Sequence, residues 1–141
     1  MKFKIDAVST GGMKTIVKAG KFEIIIDEPK NLGGTDEGAN PLELVLAALA
    51  GCFTVVGNLV AREMGFDLNG MNMEIEGEMN PARFSGKSFE ERAGFNNINI
   101  KLLPDSSADK ETLEKWVRAV EARCPVTDNI TNRTPFNVEI G

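Results

Sequence analysis

The 141-residue chain contains no histidine, two cysteines and one tryptophan. Without histidine, serine–histidine and cysteine–histidine catalysis are excluded. A tetrahedral zinc site within one chain is improbable as well, because zinc asks for about four Cys or His ligands. No block of like charge occurs, and 16 Lys and Arg against 21 Asp and Glu give a net charge of −5. That balance argues against nucleic acid as a partner, which wants basic patches, and it implies no charged tail. The start, Met1-Lys2-Phe3-Lys4-Ile5-Asp6, lacks the apolar core of a signal peptide. The expectation is a cytoplasmic protein, in which two cysteines are less suited to a permanent disulfide than in a secreted one.

Cofactor motifs are missing too. The glycines of residues 31–39 do not match a dinucleotide fingerprint, and the segment reads as a flexible connection. Gly86-Lys87-Ser88 has Pro81 where a phosphate loop needs its first glycine. The acceptor patterns at Asn129 and Asn132 would not meet a glycosylating enzyme in the cytosol. No pair of carboxylates stands out as an acid/base couple. No cofactor and no metal are expected.

What the chain does have is order. Apolar residues make up 42%, enough for a globular core, and the length suits one domain over residues 1–141. Alternating patterns predict strands at residues 2–8, 13–18 and 22–26. Asn40, Pro41 and Glu43 then supply an N-cap, a first-position proline and a capping-box partner. The helix they open should run to Met64, with Gly65 as its stop. Leu44 to Ala61 carries no charge, close to the ~18–20 residues of a membrane span. Glu43, Arg62 and Glu63 press on its ends, and Asn58, Gly and Ala dilute it, so a buried soluble helix is expected and no membrane partner. A helix apolar all round needs cover all round, and a chain of this size lacks the elements to supply it, which points to a second subunit. Strands at residues 71–78 and 95–103 flank a polar loop. Asp109 caps a second helix ending near Arg123, before Pro125. Residues 128–133 read as a turn or short helical piece, and 136–140 as a last strand. The order βββ-α-ββ-α-β indicates an α+β fold with antiparallel sheets.

Cys52 lies inside the apolar helix and Cys124 at the end of the second. Read from the residues alone, both serve as well as small buried hydrophobes. The segment Asn40-Pro41-Leu42-Glu43-Leu44, continuing through Ala47-Ala48-Leu49-Ala50-Gly51-Cys52, together with Arg123-Cys124-Pro125-Val126, resembles the OsmC/Ohr family. Gly33-Gly34 and the element order are similar too. The resemblance covers nearly the whole chain. It implies an intertwined homodimer around the long central helix, with active sites built from both subunits. It also implies a thiol peroxidase acting on organic hydroperoxides. Cys52 would attack the peroxide and become a sulfenic acid, Cys124 would resolve it as a disulfide, and a dithiol would reduce that disulfide. Such chemistry fits a thiolate nucleophile and the condensation of a sulfenic acid with a neighbouring thiol.

The chain departs from the family at two positions. The family's catalytic glutamate follows the helix-start proline, where Leu42 stands. Glu43, one step on, faces roughly 180° away from Cys52 around the helix. No arginine precedes Arg62, so the family's hairpin arginine is missing, and Lys14 offers charge there without the planar fork. Glu43 and Lys14 are the supporting candidates beside Cys52 and Cys124. The expected function is a thiol-dependent peroxidase. The alternative is an apolar-ligand-binding or redox-sensing protein that keeps the fold and the thiols.

Overall fold

The computed structural model describes residues 1–141. They divide into two compact units, Met1–Ala47 and Ala48–Gly141.

The first unit holds β1 (Asp6–Ser9), β2 (Thr15–Ala19) and β3 (Phe22–Ile26), an antiparallel sheet in sequence order. Gly20, at φ 61, supplies the left-handed backbone for the turn that joins β2 to β3. β1 begins later than its alternation predicts, and the register explains why. Asp6 pairs with Lys18 and β2 ends at Ala19, so earlier residues face the turn and find no ladder.

After β3 the chain folds around Asp27, which is buried. Its carboxylate accepts hydrogen bonds from the Thr35 hydroxyl at 2.6 Å, Thr35 N at 3.0 Å, Glu28 N at 2.8 Å and Glu37 N at 3.3 Å. A Cβ on Gly34 would lie 1.7 Å from the Glu28 carbonyl oxygen, and one on Gly38 would lie 2.2 Å from that of Ile25. Only glycine permits these approaches. The segment expected as a flexible connection is therefore an ordered loop wound on one carboxylate.

The long helix α1 (Pro41–Met64) forms where its signals place it. Glu43 N donates to Asn40 Oδ1 and Asn40 N to Glu43 Oε2, both at 2.9 Å, a reciprocal capping box. At the other end Gly65 takes φ 76, and Phe66 N donates back to the Ala61 carbonyl at 3.1 Å, closing the helix.

In the second unit β4 (Gly70–Glu78) and β5 (Asn97–Asp105) form an antiparallel hairpin across a long loop. Met73 faces Leu102 and Ile75 faces Ile100 on the apolar side. Glu74 and Lys101 pair at 3.0 Å on the outer side. Helix α2 (Lys110–Arg123) starts at Asp109, whose carboxylate accepts from Thr112 N at 2.7 Å. Its Trp116 is fully buried and donates its indole N–H to the Gly57 carbonyl of α1 at 2.9 Å. Phe66 meets the same ring edge-on at 6.3 Å. By length and composition α1 passes for a membrane span, yet Leu49, Phe53, Val56, Val60 and Ala61 are buried and make it a core helix. Val55 and Leu59 remain exposed in the single chain.

Two elements differ from expectation at the C-terminus. Pro125–Thr131 is a helix, α3, beginning earlier than residues 128–133. Residues 136–140 join no ladder, and Phe136, Val138 and Ile140 are exposed. Their alternation is that of a strand, but no strand edge within this chain receives it. The elements observed run βββ-α-ββ-α-α, and the α+β class with antiparallel sheets and a long apolar helix holds.

Candidate active site

Both cysteines are free thiols, and the second unit brings them together. Cys52 comes from the middle of α1, partly exposed, and stands at the margin of the buried face marked by Leu49 and Val56. Cys124 is buried at the junction of α2 and α3.

The junction follows from one residue. A residue before proline is pushed out of helical conformation toward extended backbone. Cys124 obeys, with φ −77 and ψ 111, so α2 stops there. The same extended conformation is that of an N-cap, and Pro125 suits the first position of the next helix. Cys124 thus caps α3, and its Sγ accepts a hydrogen bond from Thr127 N at 3.3 Å.

The two thiols experience opposite environments. Burial pushes the Cys52 thiol up, and its hydrogen bond to Cys124 adds to the rise. Burial acts upward on Cys124 as well, but hydrogen bonds from Cys52 and Thr127 outweigh it and the net direction is down. The influences on Cys52 include no cation.

Glu43 and Lys14 are engaged elsewhere. Glu43 completes the capping box with Asn40. Lys14 pairs with Glu37 at 3.0 Å, on the loop that winds around Asp27. Each has a local structural partner in the first unit.

A largely apolar cleft of about 240 Å³ in the same unit is lined by Leu49, Phe53, Ile98, Ile100, Val117 and Thr127, among them neighbours in sequence of both thiols. Thr127 is the residue that inspection of the sequence missed. The signal was present in Cys124-Pro125, which places a helix start one residue ahead of Val126 and Thr127. No group of His, Cys, Asp and Glu side chains is arranged to hold a metal ion.

Comparison with known proteins agrees with this architecture. The chain is 26% identical over 126 residues to the uncharacterized protein YmaD of Bacillus subtilis, covering 87% of this chain and 81% of that one. An OsmC-like protein from Mycoplasma pneumoniae superposes with a TM-score of 0.80 at 23% identity, over 93% of this chain and 88% of that one. An organic hydroperoxide resistance protein from Elizabethkingia anophelis, solved with thiocyanate bound, gives a TM-score of 0.65 at 24% identity, over 92% of this chain and 89% of that one. Residues 34–139 match the OsmC-like protein family, a stretch that holds α1, both thiols and every element after them. This chain therefore belongs to the OsmC-like protein family.

Proposed function

We propose that this protein is a thiol-dependent peroxidase of organic hydroperoxides, with Cys52 as the peroxidatic cysteine and Cys124 as the resolving one. The observation that carries this is the adjacency of the chain's two thiols, drawn from separate helices. Family membership supports it, as do structural neighbours that are themselves called organic hydroperoxide resistance proteins. The Cys52 thiolate attacks the outer peroxide oxygen and the O–O bond breaks. Cys52 becomes a sulfenic acid, and the alkoxide leaves as an alcohol once it takes a proton. Cys124 sulfur then attacks the sulfenic sulfur, an S–S bond forms and hydroxide leaves as water. A small dithiol reduces the disulfide by two exchanges and is itself oxidised. The apolar cleft suits a hydrocarbon-bearing peroxide.

The working unit in this proposal is a cytoplasmic homodimer. Exposed Val55 and Leu59 on α1, and the unpaired alternation of Phe136, Val138 and Ile140, are the surfaces a second copy would cover.

The test is hydroperoxide consumption with a dithiol donor. Wild-type protein should turn over an alkyl hydroperoxide. Cys52→Ser should abolish turnover, and Cys124→Ser should accumulate the sulfenic acid, trapped by dimedone. Full activity in Cys52→Ser would end the proposal.

A second proposal is favoured by Leu42 at the family's glutamate position and by the absence of arginine before Arg62. In it the protein binds an apolar ligand or senses oxidants without efficient turnover. It predicts slow peroxide consumption and a ligand carried through native mass spectrometry. Rapid turnover by ligand-free protein excludes it.

A further inference from the structure

A thiol reacts with peroxide as the thiolate, so Cys52 must lose its proton, and no cation of its own chain is among the groups that shift it. The neighbouring charged groups are occupied or turned to solvent. Arg123 on α2 forms a two-pronged ion pair with Glu63 on α1. Glu121 of α2 and Asp128 of α3 are exposed. The side chain that acts on Cys52 is the other thiol.

The surroundings of that sulfur are unusual in one respect. Thr127 Oγ1 is buried and has no hydrogen-bond partner, the one side-chain oxygen or nitrogen in the chain so placed. A buried hydroxyl without a partner is costly. The Thr127 main-chain N–H donates to Cys124 Sγ at 3.3 Å, and the Thr127 side chain acts to lower the Cys124 thiol. A neutral thiol is a weak acceptor, whereas a thiolate accepts strongly. The hydroxyl gains its partner when Cys124 carries the charge.

We propose that Cys124 is the thiolate of the resting pair and the proton acceptor for Cys52, with Thr127 as the positioning residue that holds it. The proposal deepens the peroxidase reading and rests on it for the peroxide steps. Cys52–SH donates to Cys124–S⁻ at rest. As peroxide binds, the proton passes to Cys124 and the Cys52 thiolate attacks. The O–O bond breaks, giving the Cys52 sulfenic acid and an alkoxide. Cys124–SH returns its proton to the alkoxide, which leaves as alcohol. Cys124 is then again a thiolate, ready to attack the sulfenic sulfur and release hydroxide, which solvent protonates. One negative charge is conserved up to that release, and the hydroxide carries it away. Arginine and glutamate are not needed for the proton transfer.

The test begins without peroxide. Reduced Cys52→Ser protein, retaining Cys124, and Cys124→Ser protein, retaining Cys52, are titrated by ultraviolet thiolate absorbance. Cys124 should ionise at the lower pH. Adding Thr127→Val to Cys52→Ser should raise the midpoint by about one pH unit or more, the size of a lost hydrogen bond to a charged group. Thr127→Ser should restore it, and Thr127→Ala serves if the valine variant does not fold. In the two-cysteine protein, Thr127→Val should move the acid limb of kcat/KM upward and Thr127→Ser should return it, which a purely structural role would not do. Cys52 ionising first, or a Cys124 midpoint indifferent to the hydroxyl, would overturn the proposal. Absence of hydroperoxide turnover in the wild type would remove the peroxidase reading alone, because the titration still decides which sulfur holds the charge.

Discussion

The contact between α1 and α2 rests on a glycine whose replacement has two opposed effects. Gly57 lies within α1, where alanine would be favoured by roughly 0.8–1 kcal/mol through helix propensity. A Cβ at that position would stand 3.0 Å from Trp116 Cζ2, with Cε2 at 3.7 Å and the Met71 methyl at 3.8 Å. The ring has little room to retreat. It is fully buried, and its Nε1 is tied to the carbonyl of Gly57 itself at 2.9 Å, so moving away stretches that bond. Overpacking of this kind costs about 1–3 kcal/mol. The clash outweighs the propensity gain, and Gly57→Ala should destabilise the protein by about 1 kcal/mol. Trp116→Phe removes the clashing atom and the hydrogen bond together, at a cost that includes about 0.5–1.5 kcal/mol for the bond. In that background Gly57→Ala should stabilise by up to about 1 kcal/mol, because only the propensity and the filled space remain. The pair is therefore coupled, with an interaction of about 1–2 kcal/mol in a double-mutant cycle. Urea unfolding at matched protein concentration measures it. Trp116 is the only tryptophan, so its fluorescence reports the wild-type and Gly57→Ala transitions, and circular dichroism reports the Phe variants. A stabilising Gly57→Ala in the wild-type background, or an additive cycle, would refute the packing argument.

Acid should loosen the loop around Asp27. Hydrogen bonds led by the Thr35 hydroxyl hold its carboxyl at about 2, below the ordinary 3.8. A depressed carboxyl contributes stability that is fully present above the unfolded value and is lost as pH falls through the folded one. The loss should fall between about pH 3.8 and about 2, and the difference in stability between wild type and Asp27→Asn should shrink over that window. A constant difference would mean the carboxylate is not what organises the loop. At the head of α1, Asn40→Ala removes the acceptor for Glu43 N and should cost about 0.5–2 kcal/mol. An unfolding midpoint equal to the wild type would show that the capping box contributes nothing.

How much of this was legible in the sequence depends on how local each signal is. The bounds of α1 were legible because Asn40, Pro41, Glu43 and Gly65 act within a turn of the helix ends. Asp109 marked α2 for the same reason. Strand positions were less so, because a strand's extent depends on its partner. β1 starts at Asp6, opposite Lys18, next to the end of β2 at Ala19. Residues 136–140 have the pattern of a strand and no edge in this chain to join. The seat of Trp116 on Gly57 joins residues too far apart for any pattern to reveal. The nearness of Cys52 and Cys124 followed from the family resemblance and not from their spacing. Thr127 escaped notice because its hydroxyl stands out only once α3 has buried it beside a sulfur.

Pro125 links these levels. By excluding helical backbone at Cys124 it ends α2, and by fitting the first position of α3 it starts the next helix. The residue between the two helices must then be an N-cap, and an N-cap side chain accepts from the main chain two or three residues on. Serine, threonine, aspartate or asparagine would fill that role with oxygen. Cysteine fills it with sulfur, a poor acceptor as a thiol and a good one as a thiolate. In the resting state proposed above, the ionised form of Cys124 is the stronger acceptor for that main-chain N–H. In a chain whose first hairpin lacks an arginine and whose helix start carries Leu42, Cys124 with Thr127 N donating to its sulfur is the place proposed for the negative charge of the thiol pair.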